Sequence, residues 1–192
     1  MDGADAASGR PEGEGGRRRG PLPPGIAIRA MRPGDLDALV AVDRAGTRLL
    51  ARHGFPSLLE HMADAESMAA LARGRAVWVA AGEDGEPVGF AVASDEGAFF
   101  YLHELTVDPA QGRRGIGTAL LSAVIDHARW AFHTAVALDT FRAVPFNAPF
   151  YSKRGFIEIE RGAVPEPLAR LAEAGRPAGV HPASRVVMAR RL

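Results

Sequence analysis

The sequence predicts a mixed α/β protein in which helices pack on one dominant sheet. Apolar residues recur at helical spacing between 36 and 52, and β-branched and aromatic residues dominate three short runs between 76 and 107. A glycine-rich loop then opens another helical stretch. Strands and helices that interleave in this way are typical of a layered α/β fold. The length of 192 residues suits one domain with a proper core, hardly two.

Residues 1–25 precede this pattern as a segment rich in Gly, Pro and Arg, which we expect to be a disordered tail. A single domain is expected over 26–192. Alternation predicts the first strand, the break at Pro33-Gly34-Asp35 can cap the first helix, and Asp84-Gly85 predicts a hairpin between two strands. The predicted strands are 26–31, 76–81, 88–94, 98–107, 134–139, 156–160 and 185–189. The predicted helices are about 36–52, 58–73, 116–132 and 147–154, with one helical turn near 168–174.

Composition and charge exclude several classes of function. Lys plus Arg equals Asp plus Glu, at 23 each, which argues against a dedicated binder of nucleic acid or membrane surfaces. The absence of cysteine excludes a disulfide framework, a thiolate nucleophile and a Cys-rich zinc site. The histidines have no metal-ligand spacing, so we expect no metal. Because no signal-peptide or membrane-spanning pattern is present, we expect a cytoplasmic protein.

The most informative segment is the loop Gln111-Gly112-Arg113-Arg114-Gly115-Ile116-Gly117-Thr118, which follows a strand and opens a helix. Glycines there let backbone N–H groups approach a ligand closely. The first N–H groups of a helix lack internal partners and lie at the positive end of its dipole. The loop therefore predicts a phosphate-binding site.

Three phosphate-binding patterns compete for this loop. A P-loop needs a lysine where Thr118 stands, so an ATPase lacks its main γ-phosphate contact. A Rossmann fingerprint needs the reverse glycine order, although Asp139 ends the next strand at about the spacing of a ribose-binding acid. The third pattern, Q-x-x-G-x-G after Val107-Asp108-Pro109, resembles the acetyl-CoA pyrophosphate loop of the GNAT superfamily of N-acetyltransferases.

A second motif strengthens this resemblance. Residues 147–156, NAPFYSKRGF, are similar to the family's A-x-x-F-Y-x-x-x-G-F segment, and they follow the loop at the expected separation. The resemblance covers roughly residues 26–192. It implies the GNAT fold, a mostly antiparallel twisted sheet with helices on both faces and a splayed strand pair that holds acetyl-CoA as co-substrate.

The resemblance also implies roles for individual residues. Backbone groups of Leu105, Thr106 and Val107 would hold the pantetheine arm, and an N–H there would polarise the thioester carbonyl. Asn147 would bind the same arm, and Phe150 belongs to the same cofactor-binding motif. Tyr151 would protonate the departing thiolate, a task that suits a phenol with an ordinary pKa near ~10.

The amine must lose a proton before it attacks, so a base is needed. His103 is the leading candidate: period two puts it on the strand face of Tyr101 and Leu105, and family members often place a His or Glu base at this position. Glu104 should point to the other face unless a bulge intervenes, and it could orient or bind a cationic amine instead.

The predicted activity is acetyl transfer from acetyl-CoA to a primary amine of a small molecule, by direct attack in a ternary complex. Asp95, Glu96 and Glu104 favour a cationic amine, and Phe141, Arg142 and Phe146 could shape its pocket. Two other functions stay open: a non-catalytic acyl-CoA sensor and a dinucleotide-binding oxidoreductase. We expect no nucleic acid or membrane partner, and a homodimer is plausible by family resemblance alone.

Overall fold

The structure, a computed structural model, describes residues 22–192. Its strands are β1 Ala27–Ala30, β2 Ala76–Ala81, β3 Pro87–Asp95, β4 Phe100–Val107, β5 Ala135–Phe141, β6 Ile157–Glu158 and β7 Arg185–Arg191. Its α-helices are α1 Leu36–Arg52, α2 Ala65–Ala72, α3 Ile116–Trp130, α4 Ala148–Ser152 and α5 Glu166–Ala174. Shorter 3-10 turns connect several of these elements.

The strands form one seven-stranded sheet in the order β1-β2-β3-β4-β5-β7-β6. Every neighbouring pair is antiparallel except β4 and β5, which run parallel. The predicted mixed α/β fold with a mostly antiparallel sheet is therefore confirmed. The parallel pair needs a crossover, and α3 provides it.

Helices cover both faces of this sheet, as predicted. On one face, α3 buries Leu120 and Val124 against strand residues such as Leu102 and Leu138. On the other face, Leu39 of α1 packs with buried β2, β3 and α2 side chains. The α5 helix covers the same side beside Tyr101, because side chains alternate along β4. The centre of the sheet, where β4 meets β5, is thus buried from both sides.

The second predicted helix is wrong as one continuous element. Residues Pro56–His61 form a 3-10 helix, Met62 is extended, and α2 begins only at Ala65. Asp64 caps this new start: its carboxylate accepts the Ser67 N–H at 2.8 Å, and the Ser67 hydroxyl accepts the Asp64 N–H at 2.9 Å. The local capping box outweighs the apolar periodicity that runs through both pieces.

Two further segments differ from the prediction. The α5 helix has nine residues, more than the single turn predicted there. Most of the predicted tail, residues 1–21, lies outside the described residues. Its last part is visible: Pro23 is buried, and the Pro24 carbonyl accepts a hydrogen bond from Arg114 at 3.2 Å. None of the helices within residues 22–192 has the length and apolar character needed to cross a membrane.

An ion pair fixes the turn between β1 and α1. Arg29 donates two hydrogen bonds to the buried Asp35 carboxylate, at 2.6 and 2.8 Å, and the Arg32 N–H donates a third at 2.6 Å. The hydrogen bonds from Arg29 outweigh the effect of burial and hold the pKa of Asp35 below its usual range. The carboxylate therefore stabilises the folded state in its ionised form.

We expect Asp35→Asn to lower the free energy of unfolding by about 2 kcal/mol at neutral pH, since it leaves Arg29 without its counter-charge. Because the pKa of Asp35 is depressed in the folded state, this contribution is present above about pH 4 and is lost as the pH falls through the folded-state value. Urea unfolding at pH 7 and at progressively lower pH measures the difference. The exposed Asp37→Asn is the matched control, and an equal loss in both variants would contradict the account.

Candidate active site

The β4 and β5 strands separate in the middle of the sheet. Their parallel pairing runs from Phe100–Val136 to Leu102–Leu138 and ends there. Beyond this point β4 stays paired with β3, and β5 stays paired with β7. The predicted splayed strand pair is therefore present, and the facing edges of β4 and β5 have no ladder partner in the gap.

This gap opens into a cavity of about 430 Å³. Its walls come from α1, α2, β4 and β5, with contributions from the 3-10 turn before α2, the α4 region and the segment after α5. The polar and charged side chains that line it are Asp43, Thr47, His61, Ser67, His103, Glu104, Thr106, Asp139, Thr140, Asn147, Tyr151 and Arg185. All three residues that the sequence predicts as catalytic lie in this one space.

A β-bulge places two of these side chains together. Ala93 pairs with Leu102 and Val92 pairs with Glu104, so His103 is the extra residue that has no partner on β3. The sequence analysis expects Glu104 on the opposite face from His103 unless a bulge intervenes, and this bulge is present. As a result both His103 and Glu104 line the cavity.

The bulge also changes the alternation along β4. His103 does share a side of the strand with Tyr101, and the two rings lie 4.8 Å apart edge to face. The prediction that Leu105 is on the same face is wrong, because the extra residue shifts the alternation by one. The Leu105 side chain instead lies beside Gly117, with Cδ2 about 3.6 Å from where a β-carbon would be.

Glu104 is held by its own strand. Its Oε1 accepts a hydrogen bond from the Thr106 hydroxyl at 2.7 Å and one from the Leu105 N–H at 3.2 Å. Burial raises the pKa of Glu104, against the opposing effects of the Thr106 hydrogen bond and the Arg185 charge. A carboxylate with a raised pKa is a stronger proton acceptor than an ordinary one.

A second carboxyl, Asp43 of α1, faces Glu104 in the cavity. Burial first, and then the negative charge of Glu104, raise the pKa of Asp43 to about 7. The helix approaches β4 closely because Gly46 has no side chain: a β-carbon there would lie 2.8 Å from Thr106 Cγ2. Asp43 was not predicted as a site residue. It lies seven residues after Leu36 on the buried stripe of the helix, where an acidic residue is unusual.

His103 has a different environment. Its Nε2 lies 2.6 Å from the Ser94 hydroxyl, which itself donates to Glu96 at 2.5 Å. Because the single hydroxyl proton goes to Glu96, Nε2 donates and Nδ1 is the acceptor nitrogen. Burial, and then the charge of Arg75, lower the pKa of His103 to about 4. The imidazole is therefore neutral at pH 7 and a weak base.

The Asp139 carboxylate is fully engaged. Oδ1 accepts the Tyr101 hydroxyl at 2.8 Å, and Oδ2 accepts the Arg185 Nε–H at 2.5 Å. Both side chains of the ion pair are largely buried. Asp139 and Arg185 thus compensate each other's charge on the cavity wall.

Tyr151 and Asn147 present unused hydrogen-bonding groups. The Tyr151 hydroxyl makes no hydrogen bond within residues 22–192, and burial, followed by the charges of Glu104 and Asp139, raises its pKa so that it stays protonated at neutral pH. Asn147 donates from Nδ2 to Thr140 at 2.8 Å, whereas its buried Oδ1 has no partner among the described residues. A buried acceptor of this kind is costly unless a ligand satisfies it.

Backbone donors complete the cavity. The Asp108 N–H donates to Val88 of β3, and backbone groups along a strand point alternately to either side. The N–H groups of Leu105 and Val107 therefore point towards β5, into the gap. The Glu104 carboxylate accepts the first of them, so this donor and the candidate base lie side by side.

The glycine-rich loop continues from the end of β4. Two of its residues have positive φ, Arg113 at 63° and Gly115 at 87°. No side chain of residues 22–192 caps the start of α3, and the N–H that begins the intrahelical ladder is that of Ala119, bonded to Gly115. The N–H groups of residues 116–118 precede this bond in the helix and can bind an anion. Arg114 is held by Gln111 and Pro24.

Other residues of the predicted cofactor site have side chains that make packing contacts or hydrogen bonds within the protein. Ile116 is buried in the core, so only its backbone is available. The Thr118 hydroxyl accepts a hydrogen bond from Arg154 at 2.5 Å, and the Arg154 guanidinium lies 3.7 Å from the centre of the Phe150 ring. Phe150 also packs near Gly117, with its ring about 3.6 Å from where a β-carbon would be. This contact joins α4 to the start of α3.

Some predicted pocket residues lie elsewhere. Phe141 and Phe146 do line the cavity, whereas Arg142 forms an ion pair with Glu158 outside it. Asp95 and Glu96 are also outside it, so they do not contribute to the charge of the cavity. The acidic character comes from Asp43 and Glu104 instead.

Comparison with known proteins agrees with this geometry. Residues 44–156 match the family model described as the acetyltransferase (GNAT) family. Over 55 residues the chain is 49% identical to a mycothiol acetyltransferase from Clavibacter michiganensis, a match that covers 29% of this chain and 18% of that relative. The chain thus spans less than two thirds of that protein.

Solved structures share the fold at low sequence identity. A GNAT-family acetyltransferase from Staphylococcus aureus is 20% identical with a TM-score of 0.63, over 87% of this chain and 99% of that one. The PaiA N-acetyltransferase from Thermoplasma acidophilum, in complex with coenzyme A, is 18% identical with a TM-score of 0.63, over 87% and 99% of the two chains. Together with the matched family model, these findings confirm the predicted family and fold: the chain belongs to the acetyltransferase (GNAT) family.

Proposed function

We propose that this enzyme transfers the acetyl group of acetyl-CoA to a primary amine of a small molecule, by direct attack in a ternary complex. The observation that carries the proposal is the cavity between β4 and β5. A backbone donor, a free phenol and a carboxyl with a raised pKa all face this one cavity. A volume of about 430 Å³ is typical of small-molecule sites.

Three features of the chain fit acetyl-CoA. The uncapped start of α3 with the loop 111–118 offers N–H groups for the pyrophosphate. The edge of β4 at 105–107 offers backbone groups for the pantetheine arm, and the orphaned Oδ1 of Asn147 can accept one of its amide N–H groups. The Phe150 ring packs beside Gly117 of this loop. When bound, acetyl-CoA supplies an acetyl group activated as a thioester.

Glu104 is the residue best suited to accept the proton of the amine. It lines the cavity beside the Leu105 N–H, the donor that can bind the thioester oxygen as negative charge develops there. Its raised pKa brings its basicity closer to neutral pH, where proton acceptors work best. His103 is less suited, because its pKa of about 4 makes it a weak base.

Tyr151 is the residue best suited to donate a proton to the leaving thiolate. Its hydroxyl faces the cavity without another partner, and burial keeps it protonated. The proton balance then closes: Glu104 takes one proton from the amine as the C–N bond forms, and Tyr151 gives one to sulfur as the C–S bond breaks. Solvent exchange restores both residues.

Ligand binding and thiol release test this proposal together. Acetyl-CoA at a hundred times its dissociation constant should stabilise the protein by about 2.7 kcal/mol, which a thermal shift detects. A panel of primary amines should then give amine-dependent thiol release. Binding without release for every amine would favour the acyl-CoA sensor, and stabilisation by a nicotinamide dinucleotide instead of acetyl-CoA would favour the oxidoreductase.

We expect Gly115→Ala to weaken acetyl-CoA binding by about tenfold and to cost about 1 kcal/mol of stability. At φ 87° an added β-carbon is strained, and relief of that strain moves the N–H groups that start α3. Gly162→Ala is the matched control, because a β-carbon there meets nothing within 4 Å and φ is not positive. Calorimetric titration with acetyl-CoA measures both variants, and equal affinities would remove the loop from the cofactor site.

A further inference from the structure

Within the part of the chain that the structure describes, the cavity contains two carboxyls, Asp43 and Glu104, that lack the close ion pair that Asp139 has. Asp139 is paired with Arg185, as described above. Neither Asp43 nor Glu104 has an ion-pair partner within 4 Å among residues 22–192. Two adjacent buried carboxyls repel each other when both are ionised, so a bound cation would stabilise them.

The fold brings these two carboxyls into one cavity, where the charge of Glu104 acts on Asp43. Gly46 lets α1 approach β4, and the bulge at His103 turns Glu104 towards that helix. Asp43 and Glu104 therefore come from two different elements that meet only across the cavity. Only Glu104 has a place in the proposed proton transfers, which leaves Asp43 without a role.

Part of the wall that surrounds this pair is apolar. Leucine and aromatic side chains from α1, α2 and β5, from the 3-10 turn before α2 and from the segment before α4 form this part. They are Leu49, Leu50, Leu58, Leu71, Phe141 and Phe146. Such a wall binds hydrocarbon and offers no partner to a second charged group.

We propose that the acceptor is a cationic primary amine with an apolar body and no carboxylate, and that Asp43 is the residue that selects it. This inference rests on the proposed function, and it adds the substrate class. Asp43 draws the ammonium form into the cavity and holds it beside Glu104. One ammonium proton passes to solvent before the attack, and Glu104 takes a second as the C–N bond forms.

The same arrangement disfavours amino acids as acceptors. Their carboxylate would enter a cavity that already contains Asp43, Glu104 and Asp139. Within the described residues 22–192, Arg185 is the one arginine that lines it, and its guanidinium is engaged by Asp139. Repulsion between like charges in a buried site lowers binding affinity. A substrate with a carboxylate next to its reacting amine should therefore bind weakly.

The pH dependence of substrate binding follows from the same groups. The charged and titratable groups that share the cavity wall with Asp43 are Glu104 and His103 of β4, His61 of the turn before α2, Tyr151 of α4 and the Asp139–Arg185 pair. Arg44 of the same helix acts on Asp43 by its charge. As Asp43 ionises near pH 7, the KM for a cationic amine should fall between pH 6 and pH 8, while the amine itself stays protonated. Loss of the carboxyl should abolish this fall.

The test compares amines that differ only by a carboxylate. Pentylamine with norleucine, and phenylethylamine with phenylalanine, are assayed for acetyl transfer with the wild-type enzyme, Asp43→Asn and the exposed control Asp37→Asn. We expect each decarboxylated amine to exceed its amino acid by at least about tenfold in kcat/KM. Asp43→Asn should raise the amine KM about tenfold or more with kcat changed by less than about threefold, whereas Asp37→Asn should match wild type.

The outcomes separate this inference from the proposed function. Faster turnover of the amino acids, or an unchanged KM in Asp43→Asn, would overturn the assigned substrate class and leave the acetyltransferase proposal intact. Thermal shift by acetyl-CoA without turnover of any of the four compounds would also overturn the inference. If a wider amine panel were equally inert, the proposed function would fail with it.

Discussion

Replacement of Glu104 with glutamine is expected to lower kcat by a factor of about 10² to 10⁴, the usual contribution of a positioned base. The change keeps the size of the side chain and the acceptor for the Thr106 hydroxyl and the Leu105 N–H. The affinity for acetyl-CoA should therefore stay within about threefold of wild type. Steady-state kinetics and calorimetric titration measure the two effects separately.

The pH profile makes this prediction sharper. Glu104 must be ionised to accept a proton, and burial raises its pKa, so kcat at saturating amine should rise with pH through a value above that of an ordinary glutamate. That rise should disappear in Glu104→Gln. His103→Gln is the comparison, because the pKa of His103 lies near 4 and the ring is already neutral over the working range. A large loss in His103→Gln together with a small one in Glu104→Gln would assign the base to His103.

Replacement of Tyr151 with phenylalanine is expected to lower kcat by about 10² with acetyl-CoA affinity nearly unchanged. The hydroxyl has no hydrogen bond within residues 22–192, so its loss leaves no partner unsatisfied and should cost little stability. The phenol ring stays in the core beside Phe156. Turnover and thermal unfolding of the variant measure both quantities.

Tyr101→Phe is the matched control for this change. Its hydroxyl donates to Asp139, and the residue is equally buried but does not line the cavity. We expect it to lose about 1 kcal/mol of stability and to keep most of its turnover. Unchanged kcat in Tyr151→Phe would remove the acid role from Tyr151 and leave thiolate departure to solvent.

The order of elements could be predicted from the sequence because each carries a local signal. The apolar period of α1, the Asp84-Gly85 hairpin and the glycines before α3 all depend on neighbours within a few residues. The break before α2 was missed, although its signal is local: Asp64 and Ser67 form a capping box inside a stretch whose apolar period continues.

The arrangement of the candidate site could be predicted only in part. The sequence pattern predicted the loop at 111–118 and placed Asn147 and Tyr151 in one motif, because motif residues lie close together in the chain. The bulge at His103 depends on how β3 and β4 pair, which no local pattern of β4 reveals. For that reason the strand face of Glu104 stayed open, and its electrostatic interaction with Asp43, about sixty residues earlier, was not foreseen.

The sequence does contain a signal that Asp43 makes a polar interaction inside the protein. The residue stands on the buried stripe of α1, where a solvated carboxylate is not expected. Gly46 follows within one turn, and a glycine inside a helix often marks a close approach. Together the two residues indicate a polar contact between α1 and the sheet.

Acetyl transfer itself tests the central claim most directly. The protein is incubated with acetyl-CoA labelled in the acetyl group and with a panel of primary amines, and mass spectrometry follows the label on the amines and on the protein. The account predicts label on an amine nitrogen, an equal amount of free thiol, and none on the protein. Label bound to the protein, or thiol release that yields only free acetate with every amine, would contradict direct transfer in the cavity between β4 and β5.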